Sequence, residues 1–436
     1  DDMGLGKTVQ VLSYLLAMKQ NGQTLPSLIV CPASLVLNWA EECQKFTPEL
    51  SCVVVDGDAA HRAELAESWP AADLVVTSYD LLRRDEALYE GQEFYACILD
   101  EAQAIKNHTT QKYKAVCKVR SRVRFALTGT PVENRLGELW SIFSFLMPGY
   151  LPPYKSFCSR FEKPIVQEED QTAVRRLNQL TGPFILRRMK SDVLKELPPK
   201  TENVYRIELE EEQRKLYLAA VVDAREKLQA AKPEDKMAVF AVLMRLREIC
   251  CDPRLIADNW EGGSAKLDAC AELVSSAVEG GHRILLFSQF TSMLELLAKR
   301  LDAEGISHFT LQGSTPKPVR AELVRRFNGG EVSVFLISLR AGGTGLNLTA
   351  ADIVIHYDPW WNVAAQNQAT DRAYRIGQQN PVQVYKLIAQ DTIEEKIVEL
   401  QQAKQSLADT VTGTADGAIL SMRPDELLQL LEGSEP

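Results

Sequence analysis

Asp2-Met3-Gly4-Leu5-Gly6-Lys7-Thr8, continued by Val9, Leu12 and Leu15 at helical spacing, is the stretch that decides the fold. Glycines let a backbone close around an anion. The helix that follows turns its free N–H groups and the positive end of its dipole toward the same point. The pattern predicts a phosphate loop in which Gly4, Leu5, Gly6, Lys7 and Thr8 bind ATP. Lys7 reaches the β- and γ-phosphates and Thr8 ligates Mg2+. The full pattern has a glycine five places before Gly6; that position is Asp1, a departure seen in one branch of phosphate-loop enzymes. The chain begins inside this motif and reads as truncated, without the strand before the loop or the adenine-contacting segment. Poor ATP hydrolysis is expected of the 436 residues alone, and good hydrolysis of the intact protein.

Outward from the loop, short apolar runs alternate with helix-length amphipathic stretches, the pattern of a parallel sheet built from βαβ units. Strands are expected at Ser27–Cys31, Ser51–Val55, Leu74–Thr77, Ala96–Leu99 and Arg124–Leu127. A second series is expected at Arg283–Phe287, His308–Leu311, Val334–Ile337, Ile353–His356 and Val382–Leu387. Between them the text is helical, over 133–186 and again over 209–255, and Gly262-Gly263-Ser264 reads as a hinge. The expected organisation is a first α/β lobe over 1–132 and a helical insertion over 133–186. An interlobe helical region follows over 187–262, then a second lobe over 263–409 and a tail over 410–436.

Composition is ordinary for a globular protein, with 45% apolar and 25% charged residues. No run of 18 or more apolar residues reads as a membrane span. Nine scattered cysteines, with Cys250 and Cys251 adjacent, lack zinc-site spacing and are expected to be reduced thiols. The net charge of −10 argues mildly against a nucleic-acid binder, although local clustering of cations matters more.

Tyr95–Leu99 reads as a buried strand ending in Asp100-Glu101-Ala102-Gln103. A carboxylate at the C-terminal end of a strand, in a sheet that carries a phosphate loop, is where Mg2+ is held. Asp100 is expected to hold the metal through water, and Glu101 to act as general base on the attacking water.

The motifs DMGLGKT, DEAQ, LTGTP (Leu127–Pro131) and QATDRAYRIGQ (Gln368–Gln378) occur in the order of a superfamily-two helicase core. The finer text, such as FILRRMKSDVLKELPPK, LREICCDPRLI, FSQFTSML and SLRAGGTGLNLTAADIVIHYDPWWN, resembles the Swi/Snf family of helicase-like DNA translocases and chromatin-remodelling ATPases. The resemblance runs from Asp1 to about Asp409. It implies an α/β fold of two RecA-like phosphate-loop lobes with helical insertions. It also implies a DNA-dependent ATPase that moves along double-stranded DNA and displaces or remodels bound protein.

By that resemblance Arg372 and Arg375, placed on one face of an expected helix, are arginine fingers; Gln368 faces the nucleotide and Gly345 lies near it. Thr128-Gly129-Thr130-Pro131 would sense the γ-phosphate. Nucleic-acid contacts are expected at Pro32, Ser34, Trp39, Thr77 and Ser78 in the first lobe. Ser288, Gln289, Gly313, Ser314 and Thr315 are their counterparts in the second, while Trp360 and Trp361 read as packing residues. The run Lys112–Arg124 has six cations and no acid, and reads equally as a phosphate contact or a solvated face. Arg187, Arg188 and Lys190 would contact phosphate or pair across the lobes. One chain holds both halves of one ATP site, so a monomer would suffice. The compact segment Arg188–Arg283 suggests a bacterial or archaeal protein, cytoplasmic and nucleoid-associated, or a nuclear one if eukaryotic. A strand-separating DNA or RNA helicase, and an ATP-binding scaffold with little turnover, are the competing readings.

Overall fold

The computed structural model describes residues 1–401 except 3, 130–135, 169, 189, 195, 231, 233–234, 258, 343–345 and 361–362, together with 427, 428 and 431. The chain divides into two compact units, the first spanning Asp1–Lys195 and the second beginning at Glu196.

The first unit is built on β1 (Ser27–Cys31), β2 (Cys52–Val54), β3 (Leu74–Ser78), β4 (Glu93–Leu99) and β5 (Arg120–Ala126). They form one parallel sheet in the order β2-β3-β1-β4-β5. All residues of β1 and β3 are buried, as strands covered on both faces by helices must be. Alternate side chains serve opposite layers. Ile29, Cys31, Leu74 and Val76 pack with Leu12 and Leu15 of α1 (Lys7–Gln20) and Val36, Trp39 and Cys43 of α2 (Val36–Phe46). Leu28, Val30 and Val75 face Tyr79, Leu82, Ile142 and Phe145 on the other side.

The helix Leu136–Leu146 has one apolar stripe on this second layer. Its Leu136, Leu139 and Phe143 join Phe157, Phe161, Val174 and Leu177 in a separate small core.

The second unit is a six-stranded parallel sheet of β6 (Lys200–Ile207), β7 (Ile284–Ser288), β8 (His308–Leu311), β9 (Val334–Ser338), β10 (Ile353–His356) and β11 (Val382–Ala389). The order is β6-β11-β10-β7-β9-β8. The sequence reading did not anticipate β6. Its residues are exposed except Ile207, so no apolar alternation betrays it. Register with β11, Lys200↔Val382 to Ile207↔Ala389, holds it in place. The Glu202 carboxylate lies 2.7 Å from both Lys200 and Lys386 on this edge. Burial opposes its ionisation, but the two lysine hydrogen bonds win and hold the carboxyl down at about 2.

The helices Glu211–Ala230 and Lys236–Cys251 pack through Tyr217, Val221, Leu243 and Leu246 onto Ile393, Ile397, Leu427 and Leu431. Gly262-Gly263-Ser264, expected as a hinge, is internal to the second unit. Ser264 is buried, its hydroxyl donates to the Cys251 carbonyl at 3.2 Å, and Ala265 N–H donates to Gln213 Oε1 at 3.4 Å. No helix among the described residues is long and apolar enough to cross a membrane.

Candidate active site

Gly4 and Gly6 have φ of 80° and 74°, the left-handed region that glycine enters without steric cost. A Cβ on Gly6 would meet nothing within 4 Å, so the backbone conformation and not lack of space demands glycine there. Gly6 is the N-cap of α1 and brings no side chain to its first turn, where a helix presents N–H groups and the positive end of its dipole. Lys7 lies in the first turn with its Nζ donating to the carbonyls of Asp1 (2.9 Å) and Asp2 (3.1 Å), and Thr8 follows it.

The loop has a partner that the sequence did not disclose. Arg188 sits on it: its Nε donates to both oxygens of Asp1 at 3.2 Å and its backbone N–H to Oδ1 at 3.0 Å. Asp2 N–H donates to the Arg188 carbonyl at 3.0 Å, and Lys190 N–H returns a bond to Asp2 Oδ2 at 3.0 Å. Arg188 therefore braces the loop inside the first unit. Arg188→Ala is expected to raise the KM for ATP roughly tenfold, the equivalent of one charge-assisted bond, with kcat within about twofold. Initial rates against ATP concentration check this; a fall in kcat at unchanged KM would refute it.

β4 ends beside β1, with Asp100 N–H donating to the Val30 carbonyl at 2.9 Å, so the acidic pair emerges at the C-terminal edge of the sheet. Asp100 is 9% exposed. Burial first, and the neighbouring Glu101 second, push its carboxyl up to about 6, against the hydrogen bonds of Trp39 and the Glu101 N–H and the charge of Lys7. Glu101 has φ 49°, a left-handed conformation that costs a non-glycine residue on the order of 1–3 kcal/mol. Gln103 Nε2 donates to Glu101 Oε2 at 2.6 Å, and Thr128 Oγ1 donates to Gln103 Oε1 at 2.9 Å. A hydrogen-bonded line thus runs from the end of β5 to Glu101. Thr130 and Pro131 lie outside the described residues.

In the second unit Gln368 lies on the helix Val363–Thr370, whereas Arg372 and Arg375 do not. This corrects the expected shared helix face. The helix tightens at its end, where Arg372 and Ala373 N–H groups bond to the carbonyls of Ala369 and Thr370, and the two arginines lie on the turns beyond it. Arg372 is 5% exposed, and its carbonyl accepts from Leu348 N–H at 3.0 Å. Gly345 lies outside the described residues.

Several side chains expected at nucleic-acid contacts have partners within the protein. Trp39 is 1% exposed and its indole N–H donates to Asp100 Oδ2 at 2.9 Å. Thr77 is buried and accepts the Tyr89 hydroxyl at 2.8 Å, while Ser78 accepts from Leu81 N–H as a helix cap. Ser288 is buried and donates to Asp358 Oδ1 at 2.6 Å; Gln289 Oε1 accepts from Arg247, which also pairs with Asp358. These side chains hold loops in shape and point inward. Pro32 and Ser34 are half-buried; Gly313 and Ser314 are exposed. Thr315 Oγ1 accepts from Gln312 N–H, and Arg320 clasps the loop through the carbonyls of Gly313 and Thr315. Much of the basic run is engaged locally: Lys112 with Asp80, Lys118 with Glu86 and Glu90, Arg122 with Glu93, and Arg124 with three backbone carbonyls.

A family model described as the SNF2-related domain matches residues 1–255, and one described as the helicase conserved C-terminal domain matches residues 265–377. The chain belongs to the SNF2-related family. Among curated SNF2-related proteins it is 41% identical to an uncharacterised ATP-dependent helicase of Mycoplasma pneumoniae over 99% of this chain and 42% of that protein. It is 40% identical to a putative ATP-dependent helicase/translocase of Bacillus subtilis, over 99% of this chain and 48% of that protein. The chain spans less than half the length of these relatives. It is also similar to the SWI2/SNF2 ATPase core of Sulfolobus solfataricus in complex with dsDNA, at 35% identity over 98% of this chain and 90% of that one, with a TM-score of 0.47.

Proposed function

We propose that this chain is the ATP-hydrolysing motor of a translocase that tracks along double-stranded DNA and remodels or displaces bound protein. The observation that carries the reading is a glycine-led helix start whose Lys7 acts electrostatically on the buried Asp100, next to a backbone-strained Glu101. Membership of a family whose relatives are named ATP-dependent helicases supports it.

The donor set fits Mg2+: the Thr8 hydroxyl would ligate the ion and the Asp100 carboxylate would hold it through water, hard oxygen donors of the kind that ion takes alongside substrate phosphates. When bound, the ion neutralises charge on the β- and γ-phosphates. Lys7 and the first-turn N–H groups of α1 bind those phosphates. Glu101 orients a water and accepts its proton as the water oxygen bonds to the γ-phosphorus and the bond to the bridging oxygen of ADP breaks. Arg372 and Arg375 supply positive charge for the transition state. Gln368 completes the nucleotide contacts. Pro32, Ser34, Gly313, Ser314 and Thr315, with the backbone N–H groups of their loops, would grip phosphates without reading bases.

ATP turnover of the full-length protein, measured with no polymer, duplex DNA, single-stranded DNA or RNA, tests the reading. Strong duplex stimulation is the expected result. A preference for RNA or single strands would replace it with the helicase reading, and absence of turnover under all conditions with the scaffold reading.

A further inference from the structure

We infer that Gln378 is a positioning residue for the transition-state arginines: its buried amide staples the turn that carries Arg372 and Arg375 to a second turn at Leu348–Ala351. The inference rests on the role proposed above for those arginines. Both lie beyond the helix that ends at Thr370, so something other than a regular helix must set their direction. Gln378 is 7% exposed. Its Nε2 donates to the carbonyls of Ala351 at 2.7 Å and Ala373 at 3.1 Å, and its Oε1 accepts the N–H groups of Gln379 and Asn380, both at 2.9 Å. A side-chain amide offers two N–H donors and one oxygen with two lone pairs, and all of that capacity is used here. Exchanging its oxygen and nitrogen would set oxygen against two carbonyls, so the partners also fix its orientation.

The bond to Ala351 is one half of a two-point attachment. At the near end of the same turn the Arg372 carbonyl accepts Leu348 N–H at 3.0 Å, and Ala351 N–H donates to the Leu348 carbonyl at 3.1 Å. Ala373, between the two points, is buried in one core with Leu348 and Ala351. Gly377, just before Gln378, has φ 101°, a conformation that glycine enters without strain. Gln378 has no bonding capacity left for a nucleotide, which makes it a support and not a contact. Groups that act on a transition state must be held to a fraction of an ångström, so freeing one end of this turn costs rate before it costs binding.

The test is steady-state and single-turnover ATP hydrolysis by the full-length protein on duplex DNA. Gln378→Met removes the amide and keeps the length of the side chain. It is expected to lower kcat about 10- to 100-fold, with the KM for ATP within about twofold of the parent. In an Arg372→Ala background the same substitution is expected to change the chemical step by less than about twofold, because a finger already removed cannot be misplaced. A merely structural residue would instead give a loss that multiplies with that of Arg372→Ala. Gln378→Asn, whose amide sits nearer the backbone and cannot span both sides, is expected to lower kcat in the same sense. It carries the test alone if melting curves show Gln378→Met unfolded. Parental kcat in a folded variant, or a loss that multiplies fully with that of Arg372→Ala, overturns the inference and leaves the proposed function intact. Unfolding of both variants makes Gln378 a stability element and overturns it as well. Parental kcat in Arg372→Ala removes the arginine's proposed role, and the inference falls with it.

Discussion

Glu101→Gln is expected to lower the duplex-stimulated kcat by about 10²- to 10⁴-fold, the usual worth of a positioned general base. The variant keeps the length and shape of the side chain, and its amide oxygen can still accept the Gln103 Nε2 bond that Glu101 Oε2 accepts at 2.6 Å. The left-handed backbone at Glu101 costs glutamine as much as glutamate, so the fold is not expected to suffer. What is lost is the ability to take a proton from water. ATP binding and duplex binding should both persist, giving a protein that remains loaded. Single-turnover hydrolysis beside equilibrium nucleotide binding separates the two. A variant within tenfold of the parent in the chemical step would remove Glu101 from the role of base and point to the substrate phosphate as the proton acceptor.

Arg372→Ala is expected to cost more, about 10³- to 10⁵-fold in kcat, with ATP affinity changed far less. Arg372→Lys is expected to recover little, because a lysine lacks the planar fork that meets several phosphate oxygens together. The measurement is the same pair of assays, with thermal melting to show that loss of a 5%-exposed side chain has not unfolded the second unit. A modest loss shared equally between kcat and affinity would assign Arg372 to ground-state binding.

Strands such as β1, β3, β7 and β9 were legible because buried parallel strands are continuous apolar runs bounded by polar turns, whereas the polar starts of β4 and β5, Glu93–Tyr95 and Arg120–Val123, were not. Nor was β6. Lys-Thr-Glu-Asn-Val-Tyr-Arg-Ile is an edge strand whose side chains face water, and its place comes from hydrogen-bonding to β11, which no local pattern records. At the site, the phosphate loop and the acidic pair were readable because their chemistry is dictated by residues adjacent in sequence. The direction of side chains was less legible. Val36, Trp39 and Cys43 fall at the helical spacing of a buried stripe, which turns the Trp39 indole inward. Arg372 and Arg375 were given a helix that ends at Thr370. The Arg188 brace on Asp1 joins residues far apart in the chain and left no signal in either segment.

The pairing of β6 with β11 also sets an order of events as the chain is made. The first sheet uses strands between Ser27 and Ala126, each of which can find its neighbours soon after synthesis. The second opens with β6 at Lys200, yet among the described residues β6 has only β11, ending at Ala389, for a partner. Contacts so distant along the chain are slow to form and expose an unpaired edge until they do. On a ribosome the first lobe can mature while the second waits for its last strand, and a chain stopped short of Val382 would carry β6 as an open edge, ready to pair with a neighbouring molecule.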